Sequence, residues 1–210
     1  MHLFISYLWV NPRLFFAITL LVVFSVVCHE FMHAFTALKC GDSTAADAGH
    51  LTFNPLKQMG IFSLIMLAVM GIAWGQVPVN PVKMRRRFDP ALVAAAGPLT
   101  NLVLAVFFTA VTYICIKTGV GDNFSAAVLF YAAKLNLVLM IFNLLPVPGL
   151  DGFAILAAIR PQLFRSGGTE VVRGAFFMLI ALAFIFIDRL FTAAENIAAA
   201  ALLLLQKIFG

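Results

Sequence analysis

Two histidines and a glutamate lie close together in the run HEFMH, residues 29–33. Residues four positions apart on a helix share a face, so His29 and His33 could both direct an imidazole nitrogen at one zinc ion. Glu30 would flank that face, where a carboxylate can take a proton from a zinc-bound water whose pKa the metal lowers to about 7. The spacing therefore predicts hydrolysis by zinc-activated water, with two metal ligands and a general base.

The run lies near the end of an apolar stretch, residues 14–38. A charged group within a membrane span costs roughly 2.5–3.5 kcal/mol on insertion scales, so three ionisable residues together need a reason. A metal supplies one, and H-E-x-x-H is the pattern of metallopeptidases. The alternatives are a chance match, or two histidines hydrogen-bonded inside a helix bundle.

Zinc needs a third protein ligand, and Asp151 is the candidate. It is a lone carboxylate at the end of NLLPVPGLDG, residues 143–152. Pro146, Pro148 and Gly149 prevent a regular helix here, and irregular backbone at membrane depth is tolerated where it is buried in protein or lines a wet cavity. The alternative is a turn aspartate at the membrane surface.

The composition is that of an integral membrane protein. Hydrophobic residues make up 63% of the 210 residues and charged residues 11%, against roughly 45–50% and 25% in soluble domains. The net charge of +5 comes from Lys and Arg between apolar segments, which specify topology, so a nucleic-acid partner is not expected. Cys28, Cys40 and Cys115 form no C-x-x-C pair, which argues against a disulfide framework and a cysteine zinc site.

The apolar stretches predict the fold. Those long enough to cross a bilayer are residues 14–38, 91–116, 126–145 and 171–187. Residues 61–73 are too short and suit a re-entrant or interfacial element. Residues 197–209 suit an interfacial helix, or the lower part of a last span broken near Asp188 and Arg189.

We therefore predict an all-α polytopic membrane protein that forms a single domain over residues 1–210. It would be a bundle of four to six transmembrane helices, with the re-entrant or interfacial element between the first two long spans. Residues 1–12 lack the basic start of a signal peptide, so we expect the first span to be retained.

The basic residues favour a topology with the N-terminus outside, in which residues 61–73 do not cross. This places nine Lys and Arg on the cytoplasmic side and five outside, against eight and six if the segment crosses. His29 and Asp151 then fall toward the same, cytoplasmic, side. The nine are Lys39, Lys57, Lys83, Arg85, Arg86, Arg87, Arg160, Arg165 and Arg173.

Three motifs in order resemble the site-2 protease family of intramembrane zinc metalloproteases. They are HEFMH at residues 29–33, GPLTN at residues 97–101, and N-x-x-P-x-x-x-x-D-G at residues 143–152. The stretch GHLTFNPLKQMG followed by VPVNP is similar to compact bacterial and archaeal members, which carry neither a PDZ nor a CBS domain.

The resemblance implies a multi-pass protein of a prokaryotic cell membrane that binds one zinc ion per chain. It would hydrolyse peptide bonds within or next to the transmembrane segments of other membrane proteins, for regulated intramembrane proteolysis or for clearance of membrane remnants. Glu30 would act as general base and then as proton donor to the leaving amine, and Asn143 would position the substrate or stabilise its oxyanion. The zinc ligands would be His29, His33 and Asp151.

Two further features of the sequence carry predictions. Asn101 could share the work of Asn143, or it could form a hydrogen bond between helices. Residues 45–81, rich in Gly, Pro and Thr, could supply strand edges to which an unwound substrate adds as a strand.

Two other functions remain open at this point. Intramembrane histidines and carboxylates also mark ion pathways, so a zinc transporter is the first alternative. A transporter is expected to carry ligands on several spans and an internal repeat, and no repeat is apparent. The second alternative is a membrane binding protein that shares the fold without the reaction. The sequence leaves the oligomeric state open.

Overall fold

The computed structural model describes residues 3–162 and 169–209, and over 169–173 and 175–185 it describes the backbone only. The described residues form helices and no strand, which confirms the predicted all-α fold. Two short 3-10 helices cover Phe4–Ser6 and Pro81–Lys83. The α-helices are α1 (Tyr7–Val10), α2 (Pro12–Lys39), α3 (Thr44–Asp47), α4 (Pro55–Gln58), α5 (Gly60–Met70), α6 (Asp89–Thr118), α7 (Asn123–Asn143), α8 (Asp151–Ile159) and α9 (Thr169–Phe209).

The chain divides into two compact units, Met1–Asp89 and Pro90–Gly210. Among the described residues, four helices are long and apolar enough to cross a membrane. They are Pro12–Lys39, Asp89–Thr118, Asn123–Asn143 and the part Phe186–Phe209 of α9.

The first unit is built on α2. The Asn11 side chain accepts a hydrogen bond from Leu14 N at 3.1 Å, and Pro12 at the first turn has no N–H to satisfy, so the helix begins here. It ends before Gly41, whose φ of 101° a residue with a side chain rarely adopts. At 28 residues the helix is about 42 Å long, enough to cross the bilayer core of about 30 Å.

The short helix α5 lies where the sequence predicts a re-entrant or interfacial element. Its 11 residues rise about 16 Å, roughly half of the bilayer core. It ends at Gly71, which has a left-handed φ of 77°. Most of the apolar run at residues 61–73 is therefore a helix too short to cross alone, as expected.

The segment that follows, residues 72–80, forms neither helix nor strand, so the predicted strand edges within residues 45–81 are wrong. Three of its backbone N–H groups donate to side chains or to a carbonyl elsewhere in the first unit, and not to a neighbouring β-strand. Trp74 N donates to Ser63 Oγ at 3.0 Å, Gln76 N donates to Gln58 O at 3.1 Å, and Asn80 N donates to Asp42 Oδ2 at 2.6 Å. The glycine and proline residues explain why this segment has an irregular backbone, but they do not imply that it pairs with a strand in a sheet.

In the second unit, a buried amide pair joins α6 to α7. Asn101 Nδ2 donates to Asn136 Oδ1 at 2.9 Å, and Asn136 Nδ2 donates to Ala132 O at 2.9 Å. Both asparagines are fully buried. The hydrogen bond between helices predicted as one role of Asn101 is therefore confirmed.

Between α7 and α8 the chain unwinds over residues 144–150, as Pro146, Pro148 and Gly149 predicted. Gly149 has a φ of 96° in this connection. The new helix α8 begins at Asp151 itself.

The last helix corrects the prediction for the C-terminal part. Residues 171–187 and 197–209 lie in one continuous helix, α9, and the break predicted near Asp188 and Arg189 is wrong. Charged residues do not interrupt a helix, and between residues 175 and 209 there is no Gly or Pro that would. Arg165, used in the charge count, lies outside the described residues.

An ion pair holds α9 against α7. Lys134 Nζ lies 3.0 Å from Glu195 Oε2, and the lysine side chain is 17% exposed. Lys134 also lies over the rings of Tyr131 and Phe191, at 5.3 and 5.9 Å. A lysine in the middle of an apolar helix is thus accommodated by pairing within the protein.

Candidate metal centre

The two histidines of HEFMH face each other on α2. Their Nε2 atoms are 3.0 Å apart, and their rings lie nearly perpendicular, at 77°. Tetrahedral zinc with Zn–N bonds of 2.0–2.1 Å holds two ligand nitrogens about 3.3 Å apart. His29 and His33 are 6% and 7% exposed, so the paired nitrogens lie in the protein interior. Both the spacing and the burial suit two ligands of one zinc ion.

Glu30 is buried beside these histidines and contacts the backbone of the 72–80 segment. It is 8% exposed. A Cβ built on Gly75 would lie 2.5 Å from Glu30 Cδ and closer still to Cγ and Oε1. The backbone at Gly75 therefore packs directly on the glutamate side chain, a contact that the sequence pattern did not indicate.

In the second unit, Asp151 is half-buried at the first position of α8. A carboxylate at the N-terminal end of a helix interacts favourably with the helix dipole. A Cβ on the next residue, Gly152, would lie 2.6 Å from Leu145 O and closer still to the Leu144 carbonyl. The start of α8 therefore packs against the end of α7 only because residue 152 is glycine, which gives the D-G pattern a steric reason.

The remaining polar candidates have partners in their own units. Asn143 ends α7 and donates from Nδ2 to Leu139 O at 2.9 Å, which uses one of its two amide hydrogens. The Nδ1 atom of His50 lies 3.3 Å from Gln58 Oε1. Cys28, Cys40 and Cys115 are free thiols.

Comparison with known proteins identifies the family. The model of "Peptidase family M50" matches residues 16–128 and 115–186 of this chain. The chain belongs to peptidase family M50. The predicted site-2 protease resemblance, the metalloendopeptidase class, zinc as cofactor and a multi-pass membrane location are thereby confirmed.

Several relatives are similar over most of the chain. A Bacillus subtilis (strain 168) protein named "Putative zinc metalloprotease YwhC" is 37% identical over 180 residues, which cover 80% of this chain and 79% of that protein. "Putative zinc metalloprotease Rip2" of Mycolicibacterium smegmatis is 33% identical over 164 residues, 73% of this chain and 61% of that protein. The Rip2 protein of Mycobacterium tuberculosis (strain H37Rv) is 36% identical over 149 residues, 68% of this chain and 57% of that protein. No solved structure gives a significant match.

Proposed function

We propose that this M50 member hydrolyses peptide bonds within or next to the transmembrane segments of other membrane proteins. The observation that carries the proposal is the pair of buried imidazole nitrogens, 3.0 Å apart, in a helix that is apolar and long enough to span a bilayer. A hydrolytic site in such a helix is reached most directly by a substrate that shares the bilayer.

The proposed zinc ligands are His29, His33 and Asp151. Two imidazoles and one carboxylate form a ligand set typical of catalytic zinc, which keeps its fourth position for water or substrate. A zinc ion held by these residues would supply a water of lowered pKa and would polarise the scissile carbonyl. We further propose that residues 1–210 act as a single protease domain with one zinc ion.

The protein's own residues carry the proton transfers. Glu30 takes a proton from the attacking water through a carboxylate oxygen and delivers it to the nitrogen of the leaving amine. Its low exposure keeps bulk water from competing for that proton. Asn143, at the end of α7, would donate its second amide hydrogen to the substrate backbone or to the oxyanion.

The experiment measures zinc content and cleavage of a transmembrane model substrate in detergent. We expect Glu30→Gln to keep zinc and to lose at least about 100-fold in rate, as removal of a general base does. Asp151→Ala and His33→Ala should lose both zinc and cleavage. His50→Ala is the matched control, because this histidine is bonded to Gln58 and should be dispensable for zinc.

Other outcomes would favour the two alternatives. Zinc that survives Asp151→Ala means that another residue completes the site. An unchanged cleavage rate in Glu30→Gln contradicts hydrolysis through this motif. Zinc flux in proteoliposomes, with no cleavage by the wild type, would support a transporter, and neither activity would support a binding protein.

A further inference from the structure

We propose that Gly75 is a positioning residue for Glu30. The backbone at Gly75 supports one side of the glutamate side chain and fixes where its carboxylate lies beside the two histidines. This inference rests on the proposed role of Glu30 as general base. It assigns a function to the 72–80 segment, for which the sequence predicted strand edges that the structure does not form.

The contact requires a residue without a side chain. A Cβ at position 75 would meet Cγ, Cδ and Oε1 of Glu30, all far closer than real Cβ contacts allow. Every one of these atoms belongs to a flexible side chain and none to a backbone. Because Cγ is among these atoms, an added methyl group would have to turn the whole Glu30 side chain aside, and the carboxylate would move with it.

The backbone at Gly75 cannot easily retreat from an added Cβ, because it is anchored on both sides. Before it, Trp74 N donates to Ser63 Oγ at 3.0 Å, and Ser63 Oγ donates to Trp74 O at 2.6 Å. After it, Gln76 N donates to Gln58 O at 3.1 Å. Ser63 and Gln58 are each 1% exposed, so water does not compete for these bonds.

The anchors are themselves held in place. Gln58 Nε2 donates to His50 O and to Thr52 O, both at 2.8 Å. At the far end of the segment, the fully buried Asp42 accepts from Asn80 N. Gly75 thus belongs to a rigid backbone support and not to a loop that can adapt.

The expected consequence is a loss of rate without loss of the metal. A general base must lie within hydrogen-bond reach of the proton it takes. A misplacement of 1 Å can reduce the rate about 100-fold, and we expect a fall of that size in kcat for Gly75→Ala. KM should change little, because the three atoms nearest to the added Cβ all belong to Glu30 and not to Asn143, the residue proposed to contact the substrate.

The test compares wild type, Gly75→Ala and Glu30→Gln by kcat, KM, zinc content and Tm in detergent, with the transmembrane model substrate. Gly174→Ala is the matched control, since a Cβ there meets no described atom within 4 Å and its φ is ordinary. The inference holds if Gly75→Ala loses kcat while zinc, Tm and KM stay near those of wild type. A second arm adds Gly75→Ala to Glu30→Gln, where it should lower the residual rate by much less than in wild type.

Failure of the inference can be told apart from failure of the proposed function. If Glu30→Gln is inactive but Gly75→Ala keeps its kcat within about threefold, only the positioning role is overturned. If Glu30→Gln is fully active, both the role of Glu30 as general base and the positioning role of Gly75 are contradicted. Lost zinc or a large fall in Tm in Gly75→Ala would contradict a positioning role.

Ser63→Ala covers the case in which Gly75→Ala does not fold. It removes both hydrogen bonds to Trp74 without adding an atom near Glu30, so it should lower kcat by loosening the support. Full kcat in Ser63→Ala would then overturn the proposal.

Discussion

Two glycines govern where two ionisable residues lie, and neither does so through an unusual backbone conformation. Gly75 and Gly152 are absent from the glycines with positive φ. Each is required because another group occupies the space of its Cβ, the side chain of Glu30 in one case and backbone carbonyls of residues 144 and 145 in the other. The kind of group decides the result of substitution, because a side chain can rotate and a backbone carbonyl at the end of a helix cannot.

We therefore predict that Gly152→Ala destabilises the protein, whereas Gly75→Ala does not. The added methyl group would push α8 away from the end of α7, and overpacking of this kind costs about 1–3 kcal/mol. Thermal unfolding in detergent should show a lower Tm, accompanied by weaker zinc binding if Asp151 is a ligand. A Tm equal to that of Gly174→Ala would contradict the close approach at residue 152.

Residue-scale features were predictable where they depend on local geometry. The i, i+4 spacing of His29 and His33 fixes a shared face as soon as the segment is helical, and the structure has their nitrogens 3.0 Å apart. The approach of Gly75 to Glu30 joins positions 45 residues apart, so no local pattern could reveal it. Only the fold of the first unit brings them together.

At the scale of elements, Asp42 links the loop after α2 to the end of the 72–80 segment. Its Oδ1 accepts from Thr44 N at 3.0 Å and from Thr44 Oγ1 at 2.5 Å, and its Oδ2 accepts from Asn80 N. Burial by itself would raise the pKa of Asp42. The hydrogen bonds from Thr44 and Asn80 and the positive charge of Lys83 outweigh it and hold the pKa below the ordinary value of 3.8.

This depressed pKa predicts acid sensitivity of the first unit. A carboxylate with a lowered folded-state pKa contributes stability above its unfolded pKa, and this contribution is lost as the pH falls through the folded pKa. The Tm of wild type should therefore fall below about pH 4, the region of an unperturbed aspartate. Asp42→Asn should have a lower Tm at neutral pH and a smaller further loss in acid.

Asp47 provides the control for this series, because its carboxylate is exposed at the surface. Among the hydrogen bonds described, it accepts only from Ser43 Oγ. Asp47→Asn should follow the wild-type curve. If Asp42→Asn and wild type lose Tm equally on acidification, another carboxylate is responsible.

We expect the ion pair between Lys134 and Glu195 to stabilise the packing of α9 against α7. Lys134 Nζ lies 3.0 Å from Glu195 Oε2. Lys134→Met would leave the glutamate without its cation in an apolar helix, at a cost of up to roughly 2.5–3.5 kcal/mol. Adding Glu195→Gln should recover much of that loss. Unfolding measured in lipid bicelles would detect both changes, and a double variant less stable than Lys134→Met would contradict the pairing.

Element boundaries were predictable where one physical cause dominates. The first three spans were predicted within about three residues, because a long apolar run in a bilayer has helix as its main option. The prediction was wrong at two places where it rested on the types of residue present and not on a physical cause that determines the local structure. Charges at Asp188 and Arg189 did not end α9, and glycine and proline in residues 45–81 did not imply strands.

At the scale of the whole molecule, the described surface is one that lipid must cover. Large apolar side chains are widely exposed, among them Leu20 at 68%, Val103 at 67% and Phe62 at 65%. Exposed apolar area on this scale would promote aggregation in water. In a bilayer the same side chains are solvated by lipid tails, which agrees with a multi-pass membrane protein.

The basic residues then predict which ends of the spans face the cytoplasm. Near the turn between α6 and α7 the basic residue is Lys117, whereas Arg160, Arg165 and Arg173 follow α8. Under the positive-inside rule, the turn lies outside and the chain after α8 lies inside. Val120, 68% exposed, and the exposed Gln162 are positions where a cysteine can report on each side.

The measurement uses a variant without the three native cysteines, to which Val120→Cys or Gln162→Cys is added, and a membrane-impermeant maleimide applied to intact cells. Val120→Cys should be labelled at once, and Gln162→Cys only after the cells are lysed. The reverse pattern would invert the topology and move the end of α7, with Asn143 and Asp151, toward the outer side. Labelling of both positions in intact cells would mean that α7 does not cross, which would contradict its assignment as a span.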